Sequence, residues 1–213
     1  MAGYCSNSQQ ASLKSNEDPY RRFAGIYDIL FERLTRGFRL IGIRMFPPEK
    51  GMKVLDVGCG TGVHLNIYRR FGCELYGIDK SPSMLNVART RLGDDADLRL
   101  GDATKMPYES NIFDLILCML VLHEMDQLTR ISVIAEMKRV LKIDGHILLI
   151  DFHAGRVRPL IGWFARPIIF LSEVTAGRRH FCNYRHFMSI GGLTRLIKEG
   201  QLREEQRKVI AGE

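Results

Sequence analysis

Three glycines at alternate positions, Gly58, Gly60 and Gly62, follow directly on the short apolar run Lys53–Val57. A strand that must bend repeatedly within five residues and then enter a helix needs positions without a Cβ. The helix beyond such a loop presents its first N–H groups to whatever the loop cradles. The pattern therefore predicts a strand–loop–helix unit in an α/β fold, with a ligand at the carboxyl end of the strand.

The rest of the chain agrees with that unit. Apolar steps of three and four over 20–46 predict one amphipathic helix or a pair broken at Gly37, ended by Pro47-Pro48. A helix follows over Thr61–Phe71, then a second strand, Glu74–Ile78. Ser81 as N-cap and Pro82 at the first helical position predict a helix to Leu92. Asp97–Leu100 and Phe113–Leu120 read as third and fourth strands. Gln127–Leu141 reads as a helix with Leu128, Ile131, Ile134, Met137 and Leu141 on its apolar face, and Gly145 opens a fifth strand, His146–Asp151. This alternation predicts a doubly wound, mostly parallel sheet with helices on both faces. Residues 156–190 interrupt the rhythm and read as an insertion. A helix over Ile190–Glu199 and a strand near Gln206–Ala211 close the chain.

With 213 residues, 46% of them apolar, the chain suits one globular domain. Its five scattered cysteines form no CxxC pair, which argues against a disulfide framework or zinc site and for a reducing, cytoplasmic setting. No segment is apolar enough to span a bilayer, and residues 1–19 read as a flexible polar tail. The net charge of +7 divides as +3 over 1–52, −2 over 53–155 and +6 over 156–213, so an anionic partner would be felt at the flanks.

A glycine loop alone also suits nicotinamide-binding folds, but two details separate this one from them. Val63 and His64 stand where a third, later glycine would be expected. Asp79 ends the second strand 21 residues after Gly58, where its carboxylate can accept both ribose hydroxyls. Asp102, in Gly101-Asp102-Ala103, ends the third strand where an adenine amino group would lie.

The ordered motifs VLDVGCGTG, GID, GDA with MPY, FDLILCMLVLHEMD and LKIDGHILLIDF resemble the class I methyltransferases that use S-adenosyl-L-methionine (SAM), and within them the small-molecule branch of ubiquinone/menaquinone C-methyltransferases. The resemblance covers roughly 50–155 and extends more weakly through Asn183-Tyr184-Arg185 and Gly191-Gly192-Leu193. It implies a Rossmann-like domain with SAM as cofactor. Asp56, Gly58, Gly60 and Gly62 would shape the pocket for its amino-acid part. Asp79 would hold the ribose, Lys80 and Met84 would flank the adenosine, Asp102 and Ala103 would meet the adenine edge, and Cys118 and Leu120 would lie near the sulfonium. The family sheet has seven strands, whereas this chain stops at Glu213 after one terminal strand, so six strands are expected.

For the acceptor side, His123 follows the fourth strand at the ligand edge, and an imidazole of ordinary pKa, about 6.5, suits proton transfer. The alternative is a histidine that shapes the pocket; Glu124 and His153 are weaker candidates. Leu122-His123-Glu124-Met125 lacks the Asn/Asp-Pro-Pro-Tyr pattern of enzymes acting on base amines and the paired glutamates of arginine methyltransferases. What remains is a small-molecule or lipid-like acceptor, with no nucleic-acid partner, or a SAM-binding factor without turnover. The segment Arg156–Phe187 mixes large apolar groups such as Trp163 with arginines, and is expected to be either a lid for an amphipathic or anionic acceptor, with peripheral membrane contact left open, or an extra helix packed on its neighbour. It would face the helical cap over 20–46.

Overall fold

The computed structural model describes residues 24–155 and 177–210. The expected tail over 1–19 and most of the expected lid, residues 156–176 with Trp163, lie outside them. Helix α1 (Ala24–Met45) runs unbroken through Gly37, the single helix rather than the broken pair. A Cβ at Gly37 would meet nothing within 4 Å, so glycine there costs only its helix propensity, about 1 kcal/mol. Gly42 is different: a Cβ there would lie 2.7 Å from Leu148 Cδ2, and its absence lets α1 lie close on the sheet.

Strands β1 (Lys53–Val57), β2 (Glu74–Asp79), β3 (Ala96–Leu100), β4 (Phe113–Met119) and β5 (Leu141–Ile150) form one parallel sheet in the order β3-β2-β1-β4-β5. Successive residues point to opposite faces. Val54, Leu115 and Leu117 accordingly enter one core with Leu65, Tyr68, Leu85 and Leu92, while Leu55, Val57, Ile116 and Cys118 enter the other with Met137, Val140, Phe187 and Leu196. The first core lies under α2 (Val63–Arg69) and α3 (Pro82–Leu92). The second lies under α4 (Gln127–Val140), α5 (Arg178–Ser189) and α6 (Gly192–Glu199). Ser81 caps α3 by accepting from Met84 N, as its sequence predicts. Strand order reverses between β1 and β4, which opens a crevice at their carboxyl ends.

Four expectations need correction. The buried face of α4 is Arg130, Val133, Ile134, Met137 and Val140, while Leu128 and Ile131 are 78% and 40% exposed. A buried arginine displaced the apolar stripe by part of a turn. The fifth strand begins at Leu141, and a register irregularity beside Phe113 and Leu115 delays continuous pairing until His146. The last part of the expected insertion is α5, a core helix whose Phe187 is fully buried; Gly191 and Gly192, at φ +109° and +60°, separate it from α6. Among the described residues the sheet has five strands, not six, and 201–210 form none. That stretch, Gln201–Lys208, is mostly charged and has no alternating apolar face. It touches β5 through side chains, His146 Nε2 lying 3.1 Å from Glu205 Oε2.

Candidate active site

The crevice has two walls. On the first, Gly58 N and Cys59 N donate to Ile78 O at 2.9 and 3.2 Å, stitching the glycine loop to β2. Gly60 N donates to Asp79 Oδ2 and Ser81 N to Asp79 Oδ1, both at 2.8 Å. Gly58, Gly60 and Gly62 all have positive φ, +73°, +53° and +74°. Their surroundings differ. A Cβ at Gly58 would lie 2.6 Å from Val121, and one at Gly62 would lie 3.2 Å from Ala88 Cβ; one at Gly60 would meet nothing within 4 Å. Gly60 therefore keeps space over the loop that no atom of the described residues fills. With the carboxylates of Asp56, Asp79 and Asp102 along the same edge, these residues fit a cofactor that bears hydroxyl, amino and ammonium groups.

The other predicted cofactor residues fall into three groups. Asp56 is buried on β1, and burial raises its carboxyl to about 7; the Arg39 guanidinium opposes that rise and Asp79 adds to it. Asp102 is exposed and its Oδ1 accepts from Thr104 N and Thr104 Oγ1, both at 2.8 Å, so it also shapes its own turn. Ala103 is half-buried against the core, Lys80 is exposed, and the Met84 side chain is buried. Cys118 is buried within β4, and burial pushes its thiol well up, which makes it a packing residue rather than a nucleophile.

Below the loop lies a polar cluster that the sequence did not announce. His64 and Tyr68, on α2, pack edge to face at 5.5 Å. Neither ring nitrogen of His64 nor the Tyr68 hydroxyl has a hydrogen-bond partner among the described residues. Burial, helped by the positive Arg39, lowers His64 to about 3, so it stays neutral.

The second wall starts where β4 ends. Leu120, at φ +55°, turns the chain into a single 3₁₀ turn, Leu122–Glu124. Asp151, just after β5, organises this turn. Its Oδ2 accepts from Leu122 N at 3.0 Å and His123 N at 3.3 Å, and its Oδ1 accepts from Phe152 N and meets His123 Nδ1, both at 2.8 Å. The His123 and Asp151 side chains are 4% and 1% exposed. With Nδ1 on the carboxylate, a neutral His123 carries its proton there, which makes Nε2 the acceptor-type nitrogen of the ring. Phe152, His180 and Tyr184 surround the ring at centroid distances of 4.8, 5.6 and 6.1 Å.

Arg130 holds this wall from behind. Fully buried, it donates to Leu122 O at 2.8 Å, His123 O at 3.3 Å and Asn183 O at 2.8 Å, and its guanidinium lies 4.8 Å from the Phe187 ring centroid. Asn183 Nδ2 donates to Glu124 O at 2.6 Å, so α5 and the turn are tied twice. Val121, against Gly58, is where the two walls touch. His153 lies apart from the His123 ring contacts, and its backbone bridges Gly192. Asp151, Arg130 and His180 were missed. Only Asp151 carried a signal, as an acid ending a strand at the same edge as Asp79.

Residues 55–149 match the methyltransferase domain family. The ubiquinone/menaquinone biosynthesis C-methyltransferase UbiE of Paraburkholderia phymatum is 31% identical over 160 residues, covering 70% of this chain and 65% of that protein. A malonyl-[acyl-carrier protein] O-methyltransferase of Serratia marcescens is 34% identical over 143 residues, covering 66% and 54%. The chain thus spans between half and two thirds of these relatives. Among solved structures, a Haloferax volcanii protein described as a putative methyltransferase, in complex with the Trm112 methyltransferase activator, superposes with a TM-score of 0.58 at 25% identity, covering 63% of this chain and 61% of that one.

Proposed function

We propose that this chain, whose residues 55–149 match the methyltransferase domain family, takes SAM as its cofactor and methylates a small-molecule or lipid-like acceptor at the edge between Gly58 and His123. The observation that supports it is the meeting of two differently built walls at Gly58 and Val121: an open glycine cradle with acidic residues, and a fixed histidine with an aromatic surround. When bound, SAM supplies a methyl group on a sulfonium whose sulfur keeps the electron pair of the broken bond. The chain's residues need only hold the acceptor in line and keep water out, and such orientation is worth several kcal/mol. Asp56, the three glycines, Asp79, Lys80, Met84, Asp102, Ala103 and Cys118 form the cofactor side of this reading. His123, fixed by Asp151, is assigned to the acceptor. Phe152 and Tyr184 give that side an aromatic body, which favours an acceptor with an apolar part.

Calorimetry with SAM, followed by a panel of quinones, acyl esters and lipid headgroups read out as S-adenosylhomocysteine, tests the proposal. His123→Ala is expected to lower turnover at least tenfold and leave SAM affinity within about threefold. Full turnover in that variant would return His123 to pocket shaping. SAM binding without turnover on any acceptor would favour a non-catalytic SAM-binding factor instead.

A further inference from the structure

We propose that His123, Glu124 and His180 form a binding site for one divalent transition-metal ion on the acceptor side of the crevice. One ligating atom from each of the three lies within 4.8 Å of the other two. His123 and Glu124 come from the turn after β4, and His180 comes from the first turn of α5, 56 residues further along the chain. Their convergence is therefore a product of the fold and not of local sequence.

The spacing suits ligands of one shared ion. His180 Nδ1 lies 4.0 Å from Glu124 Oε2, too far for a hydrogen bond. Two ligands each about 2.1 Å from a shared ion sit roughly 3.4 Å apart at a tetrahedral angle and up to about 4.2 Å apart when opened out. The 4.0 Å between His180 Nδ1 and Glu124 Oε2 falls in that range. The donor set, two imidazoles and a carboxylate, is one that zinc and iron use when a coordination position is kept for a reacting group.

The surroundings supply what such a site requires beyond its ligands. A metal-bound histidine usually gives its other ring nitrogen to a carboxylate, which fixes the ring and makes it more basic. Asp151 stands in that relation to His123 at 2.8 Å. Glu124 is placed by Asn183 Nδ2 on its carbonyl, and the turn itself by Arg130, whose charge is spent on main-chain carbonyls. Glu124 and His180 are only partly exposed, at 21% and 15%, so water is thinned around the cluster without being shut out. The inference rests on the reading of this edge as the acceptor side for one consequence only. An ion here leaves coordination positions for an acceptor oxygen, which points to an acceptor bearing a carbonyl, enol, phenol or phosphate group.

The test starts from full-length protein stripped with a chelator, titrated calorimetrically with Zn²⁺ and optically with Co²⁺. One equivalent is expected to bind, with a visible Co²⁺ absorption band. Glu124→Gln, which keeps shape, and His180→Ala should each weaken binding at least about tenfold, and Asp151→Asn about 10- to 100-fold. Calorimetry with SAM on the same metal-free samples reports separately on the cofactor wall and on folding. No ion binding at millimolar Zn²⁺ by protein that still binds SAM overturns the site and leaves the methyltransferase reading standing. One equivalent that persists undiminished in both Glu124→Gln and His180→Ala also overturns it, since the ion then lies elsewhere. Site-dependent ion binding without SAM binding supports the site and counts against the methyltransferase reading alone.

Discussion

Around Gly60 the bonds that shape the crevice are nearly all made by the backbone: N–H groups of Gly58, Cys59, Gly60 and Ser81 donate, and the acceptors are one carbonyl and one carboxylate within a few residues of β2. Around His123 the bonds run instead between side chains and distant main chain. Asp151 and Arg130 reach 28 and 8 residues back to the turn, and Asn183 reaches 59. The first wall needs glycine and one acid, and little else about its sequence matters. The second needs each of several specific side chains, and its chemistry can be altered without touching the first.

The contrast can be broken most forcefully at Arg130. Arg130→Ala should cost about 3–5 kcal/mol, because three carbonyls lose a charged donor and a cavity opens beneath the turn. Hydrogen exchange should show protection lost first over 122–124 and 178–189, with β1 still protected. Equal loss across both walls would mean that they are one cooperative unit.

A second test uses the polar cluster beneath the glycine loop. Asp56 has a folded pKa of about 7 against an ordinary 3.8, so its contribution is full below about pH 4 and is lost as pH rises through 7. His64 runs the other way, at about 3 against 6.5: the native state is unpenalised above 6.5 and is destabilised as pH falls toward 3. Between pH 4 and 6.5 the two slopes oppose, and the unfolding midpoint should be nearly flat. Asp56→Asn should make stability rise with pH across that window, and His64→Phe should make it fall, each by on the order of 3 kcal/mol. Denaturant melts at four pH values check both signs.

Asp79→Ala is expected to weaken SAM binding by about 1.5–3 kcal/mol, or roughly ten- to 150-fold in calorimetry, without moving the hydrogen exchange of α5. The smallest effect on stability belongs to Gly60→Ala, about 1 kcal/mol, since only backbone strain opposes it. The same methyl group would enter the clear space over the loop, so SAM affinity should fall much further than stability. A proportionate fall would mean that the space is not the cofactor's.

The two walls were not equally legible in the sequence. Gly58, Gly60, Gly62 and Asp79 form a local pattern, and four of the five strands and the cap at Ser81 followed from periodicity and turn chemistry. Arg130 defeated the reading of α4, because an apolar stripe through Leu128 and Ile131 gives no hint that a charged residue will be buried in its place. His123 was found by its position after a strand. Its partners Asp151 and His180 were not, because a side-chain contact over 28 or 57 residues leaves no spacing to read. His64 stood out only as a residue in the place of a later glycine, and only packing shows that it is buried with no hydrogen-bond partner among the described residues.

The ties from the 3₁₀ turn to α5 also fix an order of events on the ribosome. A nascent chain lengthens at about 5–20 residues per second. By the time β4 has emerged, the segments that make the glycine loop, β2 and β3 are all outside and can pair. The turn is served in two stages: the carbonyls of Leu122 and His123 wait only for Arg130, eight and seven residues on, but that of Glu124 waits for Asn183, about 60 residues and so on the order of 3–12 seconds away. During that interval the glycine loop could already be complete, while Arg130 holds two of its three carbonyls and still lacks that of Asn183.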